Sequence, residues 1–93
     1  MTESEIRAHV LYLSETQRRL ILLCSKSEGW TFGQLSEKLS IHFDSIEFAA
    51  RGLRDDGLAY VKYVHARIGG GFDGSRMFLT SAGEIVRQAV ANG

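Results

Sequence analysis

The densest chemistry in this sequence lies in HFDSIEFAAR, residues 42 to 51. Asp44 and Glu47 stand three apart, Phe43 and Phe48 flank them, and Arg51 follows Glu47 by four. Carboxylates in the first turns of a helix offset its N-terminal partial positive charge, typically by about 0.3–1 kcal/mol each. They also cancel the potential that draws a phosphate to that end. A carboxylate accepts a hydrogen bond from cytosine N4, and a phenyl ring meets a thymine methyl, so the set is compatible with base edges. Two acids, two rings and one cation also suit a protein partner with an apolar centre and a basic rim. Phe48 turned inward would instead join the core.

No other cluster points to a reaction. His9, His42 and His65 are spread over three different elements, the distribution of surface or cap histidines rather than of a metal site. Cys24 is the single cysteine, so no intrachain disulfide can form, and its place after Leu20-Ile21-Leu22-Leu23 reads as a reduced core thiol. Gly69-Gly70-Gly71 lacks a following Lys-Ser or Lys-Thr and leads into a strand, so it is a hairpin tip rather than a phosphate loop. Asp55-Asp56 has no base or nucleophile beside it. With no Ser/His/Asp or Cys/His set to nominate, the chain reads as a non-enzyme without cofactor or metal.

Composition narrows the partners. Eleven basic residues balance eleven acidic ones, so any attraction to nucleic acid must come from local clustering. The longest strictly apolar run, Leu20 to Cys24, is five residues, far too short to span a bilayer. The start, MTESEIRAHV, has no long apolar stretch of the signal-peptide kind. A cytoplasmic location is expected, and the unpaired cysteine fits it.

The chemistry must be positioned by the elements around it. Thr2/Glu5, Ser14/Gln17, Thr31/Gln34 and Ser81/Glu84 each have the capping-box form, and each is predicted to open a helix. The first helix runs over 2–13 with Ile6, Val10 and Leu13 on one face. The second reaches about Ser27, burying Leu20, Leu23 and Cys24. Glu28-Gly29 breaks it, with room for a very short strand at Trp30 and Thr31. Over 31–56 two helices follow: a short one with Leu35 and Leu39 on one face, and one with Ile46, Ala49, Ala50 and Leu53 as its stripe. Ile41 plugs the angle between them. His42 is the expected N-cap of the second, with Ser40 and Asp44 also competent. Gly57 is placed to take positive φ after the last turn. From Leu58 the period changes to two. AYVKYVHARI is the outgoing strand, about Arg76 to Leu79 the shorter return, and 59–80 the whole hairpin. A last helix covers 81–91 with Ile85, Val86, Ala89 and Val90 on one side. The expected core is Leu20, Leu23, Leu35, Leu39, Ile41, Ile46, Ala50, Leu53, Leu58 and Leu79.

Two steeply crossing helices followed by a two-stranded hairpin form a mainly α chain with a small β-hairpin, a winged helix-turn-helix, here as a single domain over 1–93. The sequence most resembles the bacterial MarR-type regulators, over about Ser14 to Ala91. Three pieces carry the resemblance: Leu35 to Leu58, closing on Leu53-Arg54-Asp55-Asp56-Gly57-Leu58; the tip Gly71-Phe72-Asp73-Gly74-Ser75-Arg76; and Leu79-Thr80-Ser81-Ala82-Gly83. It departs from the family pattern in three places. Ser40 stands where Gly is frequent, Asp73 and Arg76 are three apart rather than two, and the flanking helices are short.

The resemblance implies a transcriptional regulator that binds double-stranded DNA, the third winged-helix helix in the major groove and the wing on backbone or minor groove. Transferred by position, the groove-facing residues are His42, Phe43, Asp44, Ser45, Glu47, Phe48 and Arg51. Wing contacts fall to Lys62, Arg67, Ser75 and Arg76, and a backbone contact to Lys38. A homodimer is expected, because two-fold sites favour one and both end helices carry an apolar face. The alternative is a protein-interaction module that uses the same third helix on a protein partner.

Overall fold

The computed structural model describes residues 1–64 and 74–93. Their elements are α1 (Glu3–Tyr12), α2 (Glu15–Leu23), β1 (Trp30–Thr31), α3 (Phe32–Leu39), α4 (Phe43–Asp55), β2 (Ala59–Val64), β3 (Gly74–Leu79) and α5 (Ser81–Asn92). The strands form one antiparallel sheet in the order β1-β3-β2. No helix of the described residues is long and apolar enough to cross a membrane.

Local chemistry sets the helix starts. Thr2, Ser14 and Thr31 each accept from the backbone three residues on, and Glu5, Gln17 and Gln34 reach back to the cap backbone. These boxes satisfy donors that a helix leaves bare. The Thr2 hydrogen bonds hold the Glu5 carboxyl below its ordinary pKa. The start of α5 differs from the Ser81/Glu84 box expected from sequence. Thr80, not Ser81, is the N-cap of α5, accepting from Gly83 N–H at 3.0 Å. Ser81 and Glu84 are drawn to Lys26 instead, whose backbone N–H donates to Glu84 Oε1 and whose Nζ donates to Ser81 Oγ.

Helix α2 stops at Leu23 rather than about Ser27. Cys24 is extended, Glu28 N–H donates to Ser25 Oγ at 2.8 Å, and Ser25 N–H donates to the Glu28 carbonyl. A serine side chain offers the backbone this alternative to helix. The turn also leaves the Ser25 carbonyl free to accept from Leu79 N–H at 3.0 Å, which ties α2 to the end of β3.

Between α3 and α4, Ser40 takes the left-handed conformation at φ 55°, and Ser36 Oγ donates to the Ile41 carbonyl. His42 caps α4, its Nδ1 accepting from Asp44 N–H at 3.2 Å. At the far end Gly57 adopts φ 75°, and Leu58 N–H returns to the Leu53 carbonyl at 2.9 Å.

The two long strands are equal, each six residues, and pair from Ala59 with Leu79 to Val64 with Gly74. The return strand therefore starts two residues before Arg76. The expected tip, Gly69-Gly70-Gly71 through Asp73, lies outside the described residues, as do His65 and Arg67.

Leu20, Ile21, Cys24, Leu35, Ile46, Leu53, Leu58, Met77, Leu79 and Val86 are fully buried in one core. Leu23, Leu39 and Ile41, expected inside, are only partly buried and pack against its edge. Met77 and Val86 take their place. Burial pushes the Cys24 thiol up to about 12, so it stays protonated at neutral pH. On α1 only the flanking Leu13 is buried, while Val10 packs partly against the core and Leu11 and Tyr12 face solvent.

Candidate nucleic-acid interface

Helix α4 is aimed from both ends. Its stripe of Ile46, Ala49, Ala50 and Leu53 is buried, and Gln17 Nε2 donates to the Ala49 carbonyl at 3.4 Å, pinning α2 across it. The opposite face is bare. His42, Phe43, Asp44, Ser45, Phe48 and Arg51 are exposed and Glu47 is half-buried.

These side chains differ in what they are already committed to. Arg51 donates to Glu47 Oε1 at 2.9 Å, so each neutralises the other. The Phe43 ring stands edge-on to Phe32 of α3, centroids 6.1 Å apart. His42 is occupied as a cap. Asp44 accepts no side-chain hydrogen bond among the described residues, its nearest cationic candidate being His42 Nδ1 at 3.8 Å. Phe48 is 80% exposed and does not join the core. Asp44, Ser45 and Phe48 form one wall of an open groove of about 500 Å³ whose other wall is Ser14, Thr16 and Gln17 of α2.

The hairpin divides its polar residues between two faces. Lys62 and Arg76 are directly opposed across β2 and β3 and share the outer face with the stacked rings of Tyr60 and Phe78. Lys62 is exposed. Arg76 is half-buried, and its Nη1 donates to the Gly29 carbonyl at 3.2 Å and lies 3.5 Å from Gln34 Oε1. Ser75, on the other face, lines a crevice of about 180 Å³ against Glu47, Arg51 and Arg54 of α4. Lys38 sits exposed in the last turn of α3, beside Trp30, Gln34 and Glu37.

The structure thus groups the α4 residues on one face, places Lys62 and Arg76 on another surface of the hairpin, and turns Ser75 toward α4. Sequence reasoning missed Arg54, which lines the same crevice, and Thr16, which faces Phe48. Arg54 was legible as the i+3 neighbour of Arg51, whereas nothing local to Thr16 marks it. No group of three or more His, Cys, Asp or Glu among the described residues could hold a metal.

No protein-family model and no curated protein matches this chain. Solved structures do. Wild-type ZitR of Lactococcus lactis, in complex with DNA, is 21% identical with a TM-score of 0.68, over 86% of this chain and 51% of that one. The transcriptional regulator SlyA is 17% identical with a TM-score of 0.73, over 96% and 60%. A MarR-family regulator from Silicibacter pomeroyi is 23% identical with a TM-score of 0.69, over 96% and 58%. The chain spans between about half and three fifths of the length of these proteins. At these identities the likeness concerns the backbone, over 86% to 96% of this chain. The chain has the winged helix-turn-helix fold in the form found in MarR-family regulators.

Proposed function

We propose that this chain is the DNA-reading domain of a transcriptional regulator, with α4 in the major groove and the hairpin against backbone or minor groove. The observation that carries the reading is the backbone likeness to a regulator solved on DNA, combined with an α4 whose outer face is left uncovered. His42, Phe43, Asp44, Ser45, Glu47, Phe48 and Arg51 face the bases. Lys62, Arg67, Ser75 and Arg76 serve the wing, and Lys38 the phosphate backbone. The domain acts in the cytoplasm as a homodimer, by binding rather than catalysis.

With zero net charge, affinity for random duplex is weak and strongly salt-sensitive. A band shift against random duplex in about 50 mM salt, at protein concentrations of about 100 μM, retains the DNA, because even non-specific binders reach roughly 10⁻⁴–10⁻⁶ M. Complete absence of retention removes the reading. Lys62→Ala separates wing contact from a bystander role: it lowers the slope of log affinity against log salt by about 1 if Lys62 meets a phosphate. Lys62 is the better probe than Arg76, whose guanidinium also holds Gly29.

One observation favours a second reading, a protein-binding module. The exposed face of α4 carries Asp44, Glu47 and Phe48, and its two cations, Arg51 and Arg54, are already paired with Glu47 and Asp55. Asp44→Asn with Glu47→Gln distinguishes the two. Duplex affinity rises if α4 lies in a groove, as repulsion is relieved. Binding to a basic protein partner falls if it does not.

A further inference from the structure

Within the DNA-binding reading just given, on which this inference rests, we propose that Asp44 and Phe48 read a cytosine and a thymine lying within about two base steps of each other. Elimination among the side chains of α4 leads to this pair. Arg51, the residue type that most often reads guanine, is tied to Glu47 at 2.9 Å. Phe43 packs edge-on against Phe32, and the His42 ring nitrogen accepts from the backbone of Asp44. Among the described residues, the Asp44 carboxylate, the Ser45 hydroxyl and the Phe48 ring are uncommitted and line the groove beside α2. A serine hydroxyl both donates and accepts and so singles out no base, which leaves Asp44 and Phe48 as the discriminating pair.

Their chemistry selects different base edges. An ionised carboxylate only accepts hydrogen bonds. In the major groove the donors are the amino groups of cytosine and adenine, and the adenine amino group sits beside an N7 that repels a second acceptor. Cytosine N4 is therefore the match for Asp44. A phenyl ring gains from apolar cover, and the only apolar group that unmodified DNA offers in that groove is the thymine C5-methyl. Asp44 and Phe48 are four residues apart, on one face and separated by about 6 Å of helix rise. With bases about 3.4 Å apart along a strand, two such contacts fall about two steps apart at most.

The test starts from selection of duplexes out of a randomised pool by the unmodified chain, followed by anisotropy titration of the selected duplex. The selected site contains the C and T pair at this spacing. Replacing the one contacted thymine by uracil removes only a methyl group and weakens binding about fourfold, and Phe48→Ala erases the distinction between thymine and uracil. Selection with Asp44→Asn moves the preference at the cytosine position to adenine, because an amide both donates to N7 and accepts from N6. Both side chains are exposed, and circular dichroism of each variant confirms the fold. If uracil at every thymine leaves affinity unchanged and Asp44→Asn still selects cytosine, the two residues are ordinary surface and the inference is overturned while the DNA-binding reading stands. If the unmodified chain enriches no duplex, both fall together.

Discussion

Two regions of α4 make a contrast. At its C-terminal end nearly every group is spoken for. The Thr80 hydroxyl donates to the Gly57 carbonyl at 2.7 Å and accepts from Gly83 N–H, while Thr80 N–H donates to the Leu58 carbonyl. Gly83 is buried so tightly that a Cβ there would land on the Leu58 carbonyl oxygen. Towards its N-terminal end, Asp44 and Phe48 project with almost nothing to hold them. The first region explains why Leu79-Thr80-Ser81-Ala82-Gly83 has the residues it has: a core anchor, a cap and a close-approach glycine. In the second, Asp44 offsets the partial positive charge of the helix N-terminus, but nothing in the packing accounts for the bare Phe48 ring, which is the reason to look there for function.

Substitutions can break or sharpen this contrast. The largest loss falls on the buried stripe that both regions share: Leu53→Ala costs about 2–5 kcal/mol in urea denaturation, and a loss below about 0.5 kcal/mol would remove Leu53 from the core. Gly83→Ala follows, costing about 1–3 kcal/mol or more as α5 is pushed away from Leu58. An unchanged midpoint would show that the joint yields easily. Ser40→Gly acts in the opposite direction. It relieves a left-handed backbone that disfavours side chains by about 1–2 kcal/mol, partly offset by greater freedom of glycine in the unfolded chain, for a net gain of about 0.5 kcal/mol. A thermal melt reads it, and a fall in the midpoint would mean the serine side chain contributes more than its strain. Phe48→Ala is smallest, within about 0.5 kcal/mol by denaturation, since the ring makes no core contact. A loss above about 1 kcal/mol would give the ring a structural role and dissolve the contrast.

How legible this was depended on how local the cause is. Three capping boxes and the His42 cap were readable because donor and acceptor lie within three residues. Gly57 was readable because few residues besides glycine take its φ comfortably. The fourth cap was misread because Thr80 and Ser81 are equally competent in sequence. What separates them is distant: the Gly57 carbonyl takes one hydroxyl and Lys26 the other. The end of α2 was misread for the same reason, as the Ser25 carbonyl serves a strand 54 positions later. Met77 entered the core, and Leu23, Leu39 and Ile41 stayed at its margin, because periodicity names the face but not how much of it a neighbour covers. At the candidate interface the sequence nominated the α4 residues as a group. Which of them were free depended on contacts such as Phe43 on Phe32, which no spacing encodes.

The joint at Thr80 has a mechanical consequence. Asp44 lies twelve residues from Asp56, so α4 is a lever about 18 Å long whose fixed end is the Gly57–Thr80–Gly83 contact. A tilt of about 2° at that end sweeps the Asp44 carboxylate through about 0.6 Å, roughly the tolerance within which a recognition group must be held. The placement of Asp44 thus depends on stiffness at the opposite end as well as on the packing of Ile46 and Ala49 beside it. A glycine with no room for a methyl group and a hydroxyl bonded in two directions make that pivot stiff, at the end of the helix away from Asp44.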